Sequence, residues 1–173
     1  MSLLWLILMV LGQTEGDLSI SICKQTVSAP GEGKVTEVKI ENEKDIVTSR
    51  SCGRKLAADL GFSAVEQARI TAAISELARN IYKYAGSGTI CIRSEEEEKR
   101  VGIYIIAKDN GPGIQNLQEA MLDGFTTGGG LGRGLPGVKR LMDNFDITSS
   151  ETEGTRVEVA KYRIIHKRGL FRM

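Results

Sequence analysis

Many of the residues and motifs that would point to a function are scarce in this chain. It has one histidine, His166, in a basic stretch near the end with no helical hairpin pattern around it. Its three cysteines, Cys23, Cys52 and Cys91, stand far apart with no CxxC pair. That argues against a zinc site or a disulfide framework and for free thiols in a reducing compartment. Cys52 and Cys91 lie in apolar patterns and read as small core residues. Neither sign of charge dominates: Lys and Arg number 23 against 22 Asp and Glu, and no basic block occurs, so nucleic acid is not an expected partner. No apolar run reaches the roughly 20 residues that span a bilayer. The longest begins at Leu3-Leu4-Trp5 and ends at Val10-Leu11, and Met1-Ser2 before it lacks the basic flank of a secretory signal. Three readings of this run stay open: an upstream start or remnant, an element packed on the domain, or a membrane-surface or dimer contact. Packing against this chain or a second copy is the expectation, because such a run left exposed promotes association. GxxxxGK[ST], HRD and DFG motifs are missing, and there is no internal repeat.

What remains is enough for one well-buried core. The chain has 173 residues, of which 41% are apolar. Residues 13–33 are polar and small around Pro30 and read as a linker or irregular arm. Val35 to Ile40 alternates as an edge strand would. Asp45 is placed to cap a helix running to about Leu60, where Gly61 stops it. Ser63-Ala64-Val65-Glu66 is a capping box that opens a second helix through about Tyr84. Thr89–Arg93 and Val101–Lys108 read as strands joined by an acidic hairpin, with Glu95-Glu96-Glu97-Glu98 as its solvated tip. A short helix, Leu117–Leu122, precedes a glycine-rich segment and a helix from about Leu135 to Met142. Phe145–Ser149 and Thr155–Tyr162 close the pattern as strands joined at Glu153-Gly154. Adjacent strands joined by short turns imply an α+β protein with a mainly antiparallel sheet and its helices on one face.

Three segments fit together as one nucleotide site. Glu76 and Asn80 are four residues apart, so they share one face of the second helix, beside the buried stripe of Ile74, Leu77, Ala78 and Ile81. A neutral amide oxygen is a hard donor suited to Mg²⁺, which keeps most of its ligands as water and phosphate. A neighbouring carboxylate can take a proton from an attacking hydroxyl or orient a water. Asp109 ends the apolar run Ile103-Tyr104-Ile105-Ile106-Ala107-Lys108, where a buried acceptor can receive the exocyclic amine of adenine. Gly111 and Gly113 permit positive φ or close approach to a flat base, and Pro112 stiffens the turn. Taken alone, each segment also reads as an ordinary helical pair or surface turn. The glycine-dense run from Gly124 to Gly134 answers no packing need, since glycine adds unfolded-state entropy. A mobile loop closing over phosphates accounts for it, its amides and the N-terminus of the following helix facing the anion and Arg133 and Lys139 available as cations nearby. Gly132-Arg133-Gly134-Leu135-Pro136-Gly137 matches GxGxxG, but it follows a helix and leads to an antiparallel pair, so it is not a dinucleotide fingerprint.

The boxes ExxxN, DxGxG and GxGxG, with Glu153-Gly154-Thr155, resemble those of the GHKL (Bergerat-fold) ATPases. Within them, Ile74-Ser75-Glu76-Leu77-Ala78-Arg79-Asn80-Ile81 and Gly129-Gly130-Leu131-Gly132-Arg133-Gly134-Leu135-Pro136-Gly137-Val138 resemble the RsbT-type switch kinases, relatives of the anti-sigma-factor kinases. The resemblance covers roughly residues 34 to 162. It implies a two-layer α/β sandwich, with Glu76 as general base, Asn80 as Mg²⁺ ligand and Asp109 as adenine reader. Gly111, Gly113, Gly130, Gly132, Arg133 and Gly134 would be nucleotide contacts, and Thr155 would help hold the adenine side. Residues 1–33 and the basic tail 163–173 have no counterpart in the family pattern, and Arg133 stands at a lid position where an apolar residue is expected.

By resemblance, the chain is expected to be a cytoplasmic ATP- and Mg²⁺-dependent serine/threonine kinase of a partner-switching module. Its expected substrate is a STAS-domain antagonist protein, with a PP2C-type phosphatase as a second partner and homodimerisation left open. The alternative is an ATP- or ADP-binding module that sequesters a protein such as a sigma factor, with little turnover. A histidine-kinase catalytic domain is disfavoured, because His166 sits in the tail.

Overall fold

In a computed structural model of the chain, residues 24–26, 34–122 and 134–165 are described, the first three by their backbone alone. The elements run β1 (Lys24–Thr26), β2 (Val35–Ile40), α1 (Glu43–Asp59), α2 (Ala64–Asn80), a π-helical turn (Ile81–Ala85), β3 (Gly88–Glu96) and β4 (Arg100–Asp109). They continue with α3 (Leu117–Ala120), α4 (Leu135–Leu141), β5 (Asn144–Ser150) and β6 (Gly154–Ile164). The strands form one antiparallel sheet in the order β1-β2-β3-β4-β6-β5.

Strand alternation decides which face the helices cover. Val38 and Ile40 of β2, Ile90 and Ile92 of β3, and Ile103 and Ile105 of β4 are buried on one face with Val157 and Val159 of β6. Against them pack Ile70, Ile74, Leu77 and Ile81 from α2 and its continuation, each no more than 2% exposed. An ordinary β-branched or leucine side chain so buried contributes about 1.5–3 kcal/mol, so this seam carries the domain. The other face holds half-buried Tyr104 and Tyr162 edge to face, with Arg93 and Arg100 over their rings. The α+β reading and the helices on one face therefore stand.

Several local expectations are corrected. Val35–Ile40 is not an edge strand, because β1 pairs beyond it, within the segment read as an irregular arm. Three polar residues with no repeat in hydropathy give no sign of a strand. The cap of α1 is Asn42, whose side chain accepts from the Lys44 amide, while Asp45 sits three residues on and accepts from the Asn42 amide. The capping box at Ser63 forms as expected, and its hydroxyl donates to Glu66. The α-helix it opens ends at Asn80, short of Tyr84, and the chain then widens into the π turn. Cys91 is free, but Cys52, half-buried on α1, is disulfide-bonded rather than a free thiol. Among the described residues no helix is long and apolar enough to cross a membrane. The apolar run Leu3–Leu11 and the tail beyond Ile165 lie outside the described residues.

Candidate functional site

The last two turns of α2 present Glu76 and Asn80 beside the buried stripe of Ile74, Leu77 and Ala78. The Glu76 side chain is 23% exposed and pairs with Arg79, whose Nη1 donates to Glu76 Oε2 at 2.8 Å. Asn80 is half-buried, and its side chain makes no hydrogen bond to a described residue, so its amide oxygen is open to a ligand. Beyond it, α2 loosens into the π turn instead of stopping, which carries Ile81 into the core and Ala85 toward the end of β4.

Asp109, the last residue of β4, is held by the backbone. Its Oδ1 accepts from the Gly111 amide at 2.9 Å and from the Thr155 amide at 3.3 Å. Oδ2 has no described protein donor, so one oxygen anchors the carboxylate and the other stands open as an acceptor. Thr155 reaches Asp109 because β6 runs antiparallel beside β4, pairing Arg156 with Lys108 one step away. The turns at both strand ends are tight. Gly113 and Gly154 have φ of +70° and +74°. A Cβ at Gly154 would lie 2.2 Å from the Asp109 carbonyl oxygen, and one at Gly113 would lie 2.4 Å from that of Ser150. Only glycine combines that backbone with that approach. A Cβ at Gly111 would likewise meet Ala85 Cβ at 2.6 Å.

Gly88, at the start of β3, is where the two halves meet. It pairs with Asp109 across the ladder, and a Cβ there would lie 2.7 Å from Ile81 and 3.1 Å from Asp109 Cβ. The helix end bearing Asn80 and the strand end bearing Asp109 are thus neighbours through Ile81. The structure brings Asp109, Gly111, Gly113 and Thr155 into one cluster, and it places Glu76 and Asn80 on the helix that leads into that cluster. Gly134 immediately precedes α4, and its carbonyl accepts from Val138 at 3.1 Å. Gly130, Gly132 and Arg133 lie outside the described residues.

The donor set suits an adenine nucleotide. An open carboxylate oxygen beside Thr155 offers an acceptor to an exocyclic amine, and the glycine turns let backbone approach a flat ring. Among the described residues no group of three or more His, Cys, Asp and Glu side chains could hold a metal ion. A single amide oxygen at Asn80 matches a Mg²⁺ ion that takes its other ligands from phosphate and water.

Sequence reasoning passed over Ser149, Gly88 and the π turn. Ser149 Oγ accepts from the Ile114 amide at 2.8 Å and lies 2.8 Å from Thr155 Oγ1. The first bond joins residues 35 apart in the chain, so no local pattern signals it. Gly88 stood outside the glycine-rich motifs, and its pairing with Asp109 shows only once the strands are in register.

Comparison with known proteins gives the family. Residues 65–163 match the family of histidine kinase-, DNA gyrase B-, and HSP90-like ATPases. The serine/threonine-protein kinase RsbT of Bacillus subtilis (strain 168) is 55% identical over 125 residues, which are 72% of this chain and 94% of that protein. An anti-sigma F factor of Bacillus licheniformis is 33% identical over 104 residues, 56% of this chain and 70% of that protein. That of Caldanaerobacter subterraneus is 32% identical over 120 residues, 66% of this chain and 82% of that protein.

Proposed function

Because the chain belongs to the family of histidine kinase-, DNA gyrase B-, and HSP90-like ATPases, we propose that its site transfers phosphate from ATP to a serine or threonine of a partner protein. It is a GHKL-type serine/threonine kinase, and its place is in a partner-switching module that regulates a sigma factor. Its substrate is a STAS-domain antagonist protein, and a PP2C-type phosphatase is a second partner. The protein works in the cytoplasm through a kinase domain at 34–162, flanked by an N-terminal segment (1–33) and a basic tail (163–173). The observation that carries this reading is the divided carboxylate of Asp109, with Oδ1 bound to two backbone amides and Oδ2 open beside Thr155.

When bound, ATP would supply the γ-phosphoryl group and leave as ADP, and Mg²⁺ would offset charge on the phosphoryl oxygens. Asn80 would hold the cation through its amide oxygen, and Asp109 Oδ2 would accept the adenine amine. Glu76 takes the proton of the attacking hydroxyl, its Oε2 paired with Arg79 and its Oε1 without a partner among the described residues. Gly111, Gly113, Gly130, Gly132, Arg133 and Gly134 contact the nucleotide, and Thr155 borders its base. The test is incubation with γ-labelled ATP, Mg²⁺ and candidate STAS-domain proteins. Label on a serine or threonine of one of them is the expected result.

A second reading rests on the Glu76–Arg79 pair and the anti-sigma F factor relatives. In it the chain binds ATP or ADP and sequesters a protein with little turnover. Tight nucleotide binding without transferred label would favour it.

A further inference from the structure

We propose that Arg79 is a positioning residue for phosphoryl transfer. By holding one oxygen of Glu76 it fixes the plane of that carboxylate and leaves the other oxygen to meet the attacking hydroxyl. The proposal rests on the reading of Glu76 as general base given above.

Glu76 stands inside α2, where backbone amides are committed to the helix and none is free to orient a side chain. Its neighbours Leu77 and Ala78 are buried and apolar. A carboxylate turns easily about its last bond, because that torsion is broad and two-fold. Arg79 is what stops it: Nη1 donates to Oε2 at 2.8 Å, and Oε1 has no partner among the described residues. The spacing of three puts both side chains on one face, with Asn80 a residue further on. Helix support alone does not account for the pair. The Arg79 side chain is 55% exposed, and an exposed pair at this spacing adds little to stability. A cation in a last turn also offsets the helix dipole, but here the chain runs on from Asn80 into the π turn, so the helical path does not stop at Arg79.

The same guanidinium answers a problem of charge. A carboxylate working beside a triphosphate meets charge of its own sign, and an unheld one would swing away. Arginine stays charged throughout, and its planar fork matches a carboxylate. With Arg79 on Oε2, Glu76 keeps a lone pair on Oε1 for the proton and a positive charge on its other side. Water serves as the simplest acceptor. One of its protons would pass to Oε1 while its oxygen bonds to the γ-phosphorus. The bond from that phosphorus to the bridging oxygen would break, and ADP would keep the electron pair. Arg79 need not move at any point.

The test is single-turnover hydrolysis of γ-labelled ATP with Mg²⁺ by the full chain, read beside calorimetric ADP affinity and thermal melts. Arg79→Met keeps the apolar stem and removes the donors. It should lower the rate constant about tenfold, the scale of one charged hydrogen bond, while ADP affinity and melting stay parental. Arg79→Lys, which keeps the charge without the fork, should recover part of the loss. In a Glu76→Gln background Arg79→Met should cause no further fall, because Arg79 acts through that carboxylate. A parental rate in Arg79→Met, with Glu76→Gln slow, overturns this proposal alone. A faster rate does so as well, since the pair would then restrain the base, as the low-turnover reading has it. Additive losses, or an ADP affinity that falls with the rate, would make Arg79 a nucleotide contact and overturn it too. Glu76→Gln at the parental rate, or a parent that hydrolyses no ATP, overturns this proposal together with the general-base reading.

Discussion

The two ends of the candidate site are built differently. At the base end, Asp109 is clamped by two backbone amides, and its neighbours approach so closely that a methyl group at Gly154 or Gly113 would collide with a carbonyl oxygen. Position there is a property of the sheet ladder. At the helix end, Glu76 has only Arg79 as a partner and Asn80 has none among the described residues. One end has a fixed frame, and the other has side chains with few ties among the described residues. Preorganisation serves recognition, where the same edge must be met each time. A general base needs only to stand within hydrogen-bond reach of the proton it takes.

Substitutions can break this contrast at either end. The largest effect is expected from Glu76→Gln, which should leave ADP binding near the parental value and lower phosphoryl transfer by about 10²–10⁴-fold, the usual range for a general base. Transfer at the parental rate would make Glu76 structural. Gly154→Ala attacks the fixed frame instead. Its positive φ alone disfavours a side chain by about 1–2 kcal/mol. With the displacement of Asp109 backbone added, a stability loss of about 3 kcal/mol in denaturant melts is expected. A melt matching the parent would show that the turn yields easily and that the frame is softer than argued.

Asp109→Asn is intermediate. It keeps the size but turns an acceptor into a donor facing the adenine amine, and about 2 kcal/mol of ATP affinity should be lost. Equal ATP affinity in calorimetry would remove Asp109 from the base contact. The smallest change sharpens the comparison from outside the site. Ser63→Ala removes the cap at the far end of α2 and should lower stability by about 1 kcal/mol while leaving nucleotide affinity intact. The hydrogen bond from Ser63 also holds the Glu66 carboxyl below its ordinary value of 4.5. A depressed carboxyl contributes stability that is fully present above that value and disappears as pH falls through the folded one. The gap between parent and Ser63→Ala in thermal melts should therefore narrow on acidification below 4.5, and a constant gap would separate the cap from that titration.

These contrasts also mark what could be read in the residues beforehand. Alternation in β2 and the capping box at Ser63 are local patterns, and they announced a strand face and a helix start correctly. At α1, Asn42 and Asp45 are both competent caps only three residues apart, and the choice between them depends on where the preceding strand ends. The π turn was hidden because Ile81-Tyr82-Lys83-Tyr84 continues the helical rhythm, while the close approach of Ile81 to Gly88 and of Ala85 to Gly111 shows only in the folded chain. At the site, the carboxylate and glycine boxes were visible as motifs. The hydroxyl pair of Ser149 and Thr155 was not, because it exists only once β5 and β6 lie side by side. Glu76 was legible as a position, but its pairing with Arg79 was not anticipated, although the spacing of three permits it.

The strand order has a consequence for how the domain comes into being. β6 lies between β4 and β5, so the last strand in chain order fills an inner place in the sheet. During synthesis β4 waits with one side open, and β5 has no neighbour until β6 emerges. Gly154 and Thr155 open that strand, and the anchor for Asp109 arrives with them. A growing chain stopped before Gly154 would expose an unpaired strand edge, the usual template for aggregation. The backbone anchor of Asp109 would then form only after β6 has emerged and paired with β4.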